Sequence, residues 1–452
     1  MTGRGISEDL RKSIHILMVG FAFLLKHLPW WGAALLAAAA VASNATWIPR
    51  LRGGALMREG EERSILQSGV WLYSVAVLAL ILVFPHRLEI VACAWGILAL
   101  GDGFATLVGR RLPHPALLWN RRKSWSGFMS FCVAGTLGGA ALLRYVSGGG
   151  FGGWDRTLLI AAVATAACAV VESLSLKLND NLSVPFLAAG IVVTLDWVRP
   201  EVWSANRGVL QRNLLLGLAV VGAFALAARA ARTVSWSGVA GGILVGLPIA
   251  TFGGLPAFWV LVEFFILGSA ATRVGWSRKE QRGIAQEGEG ARGALHALAN
   301  VSVPAYLAFL SGSVDEPMAS ALRLAFVASL ATAACDTLGS EIGQLSRSKP
   351  FLITRLRRVA AGTPGAVSLL GTAAGICGAA LVGAAAALLQ IIPWSWIPIV
   401  TAAALLGAVL ESVLGATAEP ADLIDSETMN FLNTLAGALA AVALLPLAGA
   451  LS

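Results

Sequence analysis

Residues 98–128 read LALGDGFATLVGRRLPHPALLWNRRKSWSGF. An apolar run stops at Asp102 between two glycines, a basic loop follows, and the stretch closes on Ser124, Ser126 and Gly127. Asp102, Ala105, Thr106 and Gly109 stand at i, i+3, i+4 and i+7, one face of a helix. That face carries a single carboxylate among small residues, so a ligand or a second backbone can come close. Small residues also make the packing seams of membrane helices, and by themselves they do not choose between the two uses. Asp102 does, because an ionisable side chain in or beside an apolar span is costly and marks function. The loop adds Arg110, Arg111, Arg121, Arg122 and Lys123, then two hydroxyls and a glycine at a helix start. Cations, hydroxyl donors and backbone N–H groups at a helix N-terminus are what phosphate oxygens bind. A positive-inside anchor accounts for the arginines but not for the K-S-x-S-G ending.

Outside this stretch the chain is 57% hydrophobic and 13% charged, with mean hydropathy +0.75. That balance excludes a soluble domain and describes an all-α, polytopic integral membrane protein. Fifteen spans are expected, at 13–27, 29–48, 66–84, 88–108, 126–143, 157–176, 182–198, 213–228, 235–250, 254–272, 294–311, 319–343, 365–391, 395–415 and 429–449. No small-residue cleavage site follows Met1–Lys12, so the first span reads as retained. With the N-terminus in the cytosol, 25 of the 33 Lys and Arg residues fall in cytosolic segments. The expected location is a bacterial-type inner membrane or its equivalent, with sites facing the cytosol. The net charge of +8 is spread over short loops, which points to membrane orientation and anionic ligands rather than nucleic acid. The five cysteines lie inside apolar runs without metal or disulfide spacing, and read as packing residues.

A weaker copy of the opening stretch occurs at Leu330–Ser368, where Asp336, Gly339, Ser340 and Gly343 repeat the offsets of Asp102, Ala105, Thr106 and Gly109. The order continues: Gly127, Glu172-Ser173 and Asp180-Asn181 in one half, Gly365, Glu411-Ser412 and Asn430 with Asn433 in the other. This is the mark of an internal duplication. The polar stretch Arg199–Arg212 separates the copies, giving expected domains 1–207 and 208–452. Both aspartates end helices an even number of spans apart, so both are expected on the cytosolic side. Inverted-repeat transporters place their halves oppositely, although parallel repeats also exist.

Glu172 ends a span and Asp180-Asn181 opens the next. Two carboxylates near a polyphosphate suit Mg²⁺, which is commonly held by one or two carboxylates plus phosphates.

The combination GDGFATLVGRR…RRKSWSGF, then VESL…DNLSVP, resembles the polyprenol kinases of the dolichol kinase and phytol kinase group, and Arg11-Lys12 with His15 resembles that group's R-K-x-x-H. The resemblance covers roughly residues 8–195. It implies phosphoryl transfer to a long-chain isoprenoid alcohol, usually from CTP. Carried onto this chain, the loop Arg110–Gly127 would hold the CTP phosphates, with Gly109, Arg110, Arg111, Arg122, Lys123, Ser124, Ser126, Gly127 and Asn181 as binding residues. Asp102 and Glu172 would serve as metal ligands or base.

Over roughly residues 210–450, CDTLGSEIGQL, AAGTPGAVSLLG, ESVLGA and NFLN resemble the membrane family that includes phytyl-phosphate kinase. The resemblance implies a second site, with Asp336, Glu341 and Glu411 as the acidic residues and Asp336 and Glu411 on the metal. The expected nucleotide- and phosphate-binding residues of this second site are Lys279, Arg292 and Asn300, in and after its basic loop, and Lys349, Arg358, Thr363 and Gly365, before the next helix. Thr363-Pro364-Gly365 stands where the first half has K-S-x-S-G, so Lys123 has no positional equivalent. Together the halves would make a prenyl monophosphate and then a diphosphate. The expected partners are the lipid bilayer, isoprenoid alcohol, isoprenyl phosphate and nucleoside triphosphate. Two other readings fit the same residues: a CTP-dependent lipid cytidylyltransferase, and a two-repeat lipid transporter.

Overall fold

A computed structural model describes residues 8–52, 69–112, 115–174, 179–281, 292–360, 362–419 and 424–446. Arg282 and Asp422 lie outside the described residues, as does the side chain of Arg11. The chain is helical and divides into two compact units, Met1–Trp197 and Val198–Ser452. The expected domain boundary at 207/208 falls C-terminal to this division, within Arg199–Arg212.

The first unit is built around one long helix. It runs as α4 (Leu88–Gly96), a π turn (Ile97–Asp102) and α5 (Gly103–Arg111). Every residue from Ile90 to Ala99 is buried, as befits a helix apolar on all sides. The π turn inserts a residue where the apolar run ends, and Asp102 is its last member. Such single π turns recur at functional sites because they re-aim side chains out of the regular helical pattern. Around this axis stand α1 (Glu8–Leu17), a 3₁₀ segment (Met18–Lys26), α2 (Trp30–Arg52), α3 (Gly69–Val83), α6 (Trp125–Ser147), α7 (Trp154–Ser173) and α8 (Asp180–Trp197).

The second unit contains α9 (Pro200–Ala205), α10 (Arg207–Ala230), α11 (Trp236–Phe252), α12 (Gly254–Arg273), α13 (Trp276–Gln281), α14 (Ala294–Ser311) and α15 (Met318–Gly343). A three-stranded patch follows, β1 (Phe351–Leu352), β2 (Arg357–Arg358) and β3 (Ala366–Val367), in the order β2-β1-β3. The unit closes with α16 (Leu369–Leu388), α17 (Ile397–Thr417) and α18 (Ser426–Leu444). Its axis is α15, buried without interruption from Leu324 to Cys335, and α12, α14, α16, α17 and α18 pack on it.

A helix lies over each of the fifteen expected spans, with the first divided into α1 and the 3₁₀ segment. Among the described residues nine helices are long and apolar enough to cross a membrane, and α3 and α11 are shorter apolar helices.

The duplication has a local counterpart in each unit. Ser124 caps α6 by accepting from Gly127 N (3.3 Å), and Ser368 caps α16 by accepting from Gly371 N (3.1 Å). A Cβ on Gly109 would lie 3.0 Å from Ser124 Oγ, and one on Gly343 would lie 3.0 Å from Ser368 Oγ. Ser368 and Gly371 therefore stand where the alignment of motifs puts Thr363 and Gly365. The sequence match missed this because the inserted strand patch lengthens the loop. A third cap of the same kind opens α11, where Ser235 accepts from Gly238 N (3.1 Å) and Ser237 Oγ lies 2.9 Å away.

At Gly371 the neighbour is the rigid carbonyl of Gly339, so an added Cβ forces α15 and α16 apart. Gly371→Ala is expected to lower stability by about 1–3 kcal/mol. Gly222→Ala, with nothing within 4 Å, is expected to be neutral or to gain up to about 1 kcal/mol of helix propensity. Equilibrium unfolding in detergent checks both; a shift of the same sign for the pair would contradict the close seam.

Candidate functional site

In the first unit, burying Asp102 requires a countercharge, since an unpaired buried carboxylate is strongly unfavourable. α1 supplies it: Lys12 Nζ lies 2.5 Å from Asp102 Oδ2 and His15 Nε2 lies 3.6 Å from the same oxygen. Lys12 is 90 residues away in sequence, and no spacing rule predicts the pair. A second pair stands at the end of α7, where Lys123 Nζ binds the Glu172 carboxylate and donates to the Glu172 carbonyl at 2.5 Å.

The basic loop is held in place by two residues that the sequence reading passed over. Trp119 Nε1 donates to Ser173 Oγ and Asn120 Nδ2 donates to Ser173 O, both at 2.9 Å. Leu117 N donates to Lys123 O at 2.8 Å and closes the loop on itself. Trp119 and Asn120 sit among charged residues, without the periodicity that would single them out.

All of these groups except Trp119 and Ser173 line one cavity of about 1050 Å³. Its polar end holds Asp102, Gly109, Arg110, Asn120, Arg122, Lys123, Ser124, Gly127, Glu172, Asp180 and Asn181, together with Lys12 and His15. Arg111 is exposed and does not line it, and Ser126 instead pairs with Ser124 Oγ at 3.0 Å. From the polar end an apolar arm runs between the 3₁₀ segment, α2 and α3. A cavity of this size with a few convergent polar groups is the usual form of a small-molecule site.

The oxygen donors at the polar end suit Mg²⁺. Asn181 Oδ1 is buried with no hydrogen-bond partner while its own N and Nδ2 both donate to Asn179 Oδ1 at 3.0 Å. Carboxylates of Asp102, Glu172 and Asp180 line the same space. Among the described residues no three His, Cys, Asp or Glu side chains converge, and Mg²⁺ needs no such cage because it completes its shell from phosphates and water.

In the second unit the predicted residues fall into three groups. Asp336 on α15 and Glu411 on α17 stand close enough to repel one another electrostatically, and Asp336 accepts from Ser340 Oγ at 3.5 Å. Beside them the Thr363-Pro364-Gly365 turn presses on α17. Gly365 has φ +70°, where a side chain is strained, and a Cβ there would meet the backbone of Ser412 and Ala416. Lys349 and Arg358 are exposed on the same loop. Asn433, with a buried unpartnered Oδ1, lies against Gly407, a turn deeper along α17 than Glu411.

The second group is a strut. Lys279 is 1% exposed and its Nζ donates to the Glu341 carboxylate, Ala271 O (3.1 Å) and Thr272 O (3.3 Å). All three ammonium protons are thus directed at protein acceptors, which ties α13 to α12 and α15. Lys279→Met removes this ammonium from the buried Glu341 carboxylate, and a loss of about 3–5 kcal/mol of stability is expected. Adding Glu341→Gln should restore most of it, as measured by unfolding midpoint. No recovery in the double variant would show that Lys279 acts elsewhere.

Arg292 and Asn300 form the third group. They line a cavity of about 90 Å³ with His296 and aromatic residues of α10 and α12. Arg292 is nearly buried over the Phe265 ring, its Nη2 has no hydrogen-bond partner, and burial pushes its guanidinium below the usual value. Asn300 Nδ2 donates to His296 O at 3.0 Å.

The family model described as Integral membrane protein DUF92 matches residues 219–438. An uncharacterised membrane protein of Methanocaldococcus jannaschii is 32% identical over 233 residues, 51% of this chain and 93% of the relative. Protein VTE6, chloroplastic, of Arabidopsis thaliana is 30% identical over 214 residues, 46% of this chain and 64% of the relative. A probable chloroplastic phytol kinase of Zea mays is 33% identical over 157 residues, 34% of this chain. The chain spans 49% of that phytol kinase. No solved structure matches the chain.

Proposed function

Because the chain belongs to the DUF92 family of integral membrane proteins and has relatives named phytol kinase, we propose that it is a membrane phosphotransferase acting on prenyl alcohols. The first domain, residues 1–207, transfers the terminal phosphoryl group of CTP to the alcohol. The second domain, residues 208–452, adds another phosphoryl group to the prenyl monophosphate. Both sites face the cytosol, where nucleotide is available.

One observation carries the reading: a single cavity joins a polar end of lysine-held carboxylates and arginines to an apolar arm. An amphiphilic alcohol and a polyphosphate need that combination. Arg110, Arg122 and Lys123 attract the phosphates, and the start of α6 at Ser124–Gly127 offers backbone N–H groups. The acceptor hydroxyl sits where arm and polar end meet, beside Asp102. Its oxygen bonds to the γ-phosphorus, the bond from that phosphorus to the β–γ bridging oxygen breaks, and CDP leaves. The hydroxyl proton passes to the Asp102 carboxylate. Mg²⁺ would neutralise the phosphate charge, held by Asp102 and Glu172 in the first unit and by Asp336 and Glu411 in the second. In the second unit Lys349, Arg358 and the Thr363–Gly365 turn supply the phosphate contacts.

Lys123 bridges the loop and Glu172, so its removal should disturb phosphate placement without emptying the arm. Lys123→Ala is expected to lower monophosphate formation from CTP and geranylgeraniol by about 10²-fold. Chelation of divalent cations should abolish turnover. Full activity of Lys123→Ala would count against nucleotide at this loop.

A further inference from the structure

Arg292 stands just before α14, and its side chain enters a space walled by α10, α11, α12 and α14. Among the described residues, none from α15 to α18 lines that space, so it is separate from the Asp336 and Glu411 carboxylates. Arg292 is 8% exposed and its Cζ lies 5.8 Å from the centre of the Phe265 ring. A Cβ on Gly268 would meet its Nη2 at 2.7 Å, and that nitrogen has no hydrogen-bond partner among the described residues.

The local charge does not balance. Lys279, Arg292 and Glu341 are all buried, and Glu341 is within electrostatic reach of both cations. One carboxylate, already bound by Lys279 Nζ, therefore faces two positive charges. Arginine cannot shed its proton to escape burial, and an unpaired buried charge is strongly unfavourable. The group that satisfies this guanidinium is an anion.

The size and depth of the pocket say what carries the anion. Its volume is about 90 Å³, well below the roughly 300 Å³ of a usual small-molecule pocket, so a phosphate group fits and whatever is attached lies outside. Outside, the surface is apolar: Phe224 meets Phe258 and Phe265 edge-on at 6.0 and 5.5 Å, and Leu226 and Ile266 are exposed on the same two helices, α10 and α12. From Gly268 to the end of α12 at Arg273 the α rise gives roughly 7 Å, the depth at which headgroups meet acyl chains. Arg229 and Arg273 stand at this rim. Arg229 lies over the Trp236 ring at 5.3 Å, and Arg273 Nη2 donates to Ala231 O at 3.3 Å. Arginines clustered at the ends of membrane helices attract anionic lipids, which favours a bilayer lipid over free phosphate.

We propose that the Arg292 pocket binds the phosphate of an anionic bilayer phospholipid, whose acyl chains lie along α10 and α12. This site is additional to the two phosphoryl-transfer sites and does not depend on their chemistry.

The full chain in nanodiscs tests it with phosphatidylglycerol and phosphatidylcholine carrying a diazirine on one acyl chain. Photolysis should give adducts on α10 and α12 at least about fivefold more abundant with phosphatidylglycerol than with phosphatidylcholine. Arg292→Gln should erase that preference. In phosphatidylcholine alone it should unfold at or above the wild-type midpoint, because an unpaired buried charge has been removed. Phosphatidylglycerol should raise the midpoint of the wild type and leave that of the variant unchanged. Equal labelling by the two lipids, or a preference that survives Arg292→Gln, overturns the proposal. Competition on the wild type gives a readout that needs no variant. Untagged phosphatidylglycerol should suppress the adducts. Suppression by inorganic phosphate instead would overturn the proposal in favour of a free-anion site, and suppression by geranylgeranyl monophosphate at far lower concentration than phosphatidylglycerol would reassign the pocket to the acceptor of the second transfer.

Discussion

Asp102→Asn is expected to lower prenyl monophosphate formation by about 10³-fold, roughly 4 kcal/mol of transition-state stabilisation, while added prenyl monophosphate is still converted to the diphosphate. The size of the effect follows from position. Asp102 closes the π turn, lines the junction of the polar end and the arm, and is held by Lys12 and His15 rather than by solvent. The substitution also leaves the Lys12 ammonium buried without a counterion, which should cost about 3–5 kcal/mol of stability. The double variant Lys12→Met, Asp102→Asn separates the two effects. It should regain stability and remain inactive in the first step. Recovery of activity along with stability would reduce Asp102 to a structural partner of Lys12.

The second large effect is the converse. Asp336→Asn is expected to lower conversion of prenyl monophosphate to diphosphate by about 10²- to 10³-fold and to spare the first step. Its stability signature should differ from that of Asp102→Asn. Asp336 lies within electrostatic reach of the Glu411 carboxyl, so the substitution removes one member of an acid pair instead of stranding a counterion. The variant should unfold at or above the wild-type midpoint. Equal loss of both steps in each variant would argue for one composite site serving both reactions.

Apolar runs made the helices legible, because a buried or lipid-facing helix must be apolar over about 20 residues whatever it packs against. The aspartates were legible for the complementary reason, as costly exceptions within those runs. Pairings across long sequence separations were not. Lys12 with Asp102 and Lys279 with Glu341 form between helices whose mutual approach no local pattern encodes. Lys279 read as part of a basic loop, and its burial emerges only when α13 folds back beneath α12. The match of Thr363–Gly365 to Ser124–Gly127 slipped because β1 and β2 lengthen the loop before Ser368, while the capping serine and the close-approach glycine keep their places. The 3₁₀ form of Met18–Lys26 was not legible either, because hydropathy alone does not distinguish it from an α-helix.

The most direct test of two phosphoryl transfers in one chain follows CTP labelled at the α and γ phosphates during turnover of geranylgeraniol by purified protein with Mg²⁺. The predicted result is γ label in a monophosphate that rises first, then in a diphosphate that grows at its expense, with all α label leaving as CDP. Transfer of α label to the lipid with release of pyrophosphate would contradict the account and identify a cytidylyltransferase, and unchanged CTP with lipid movement would identify a transporter.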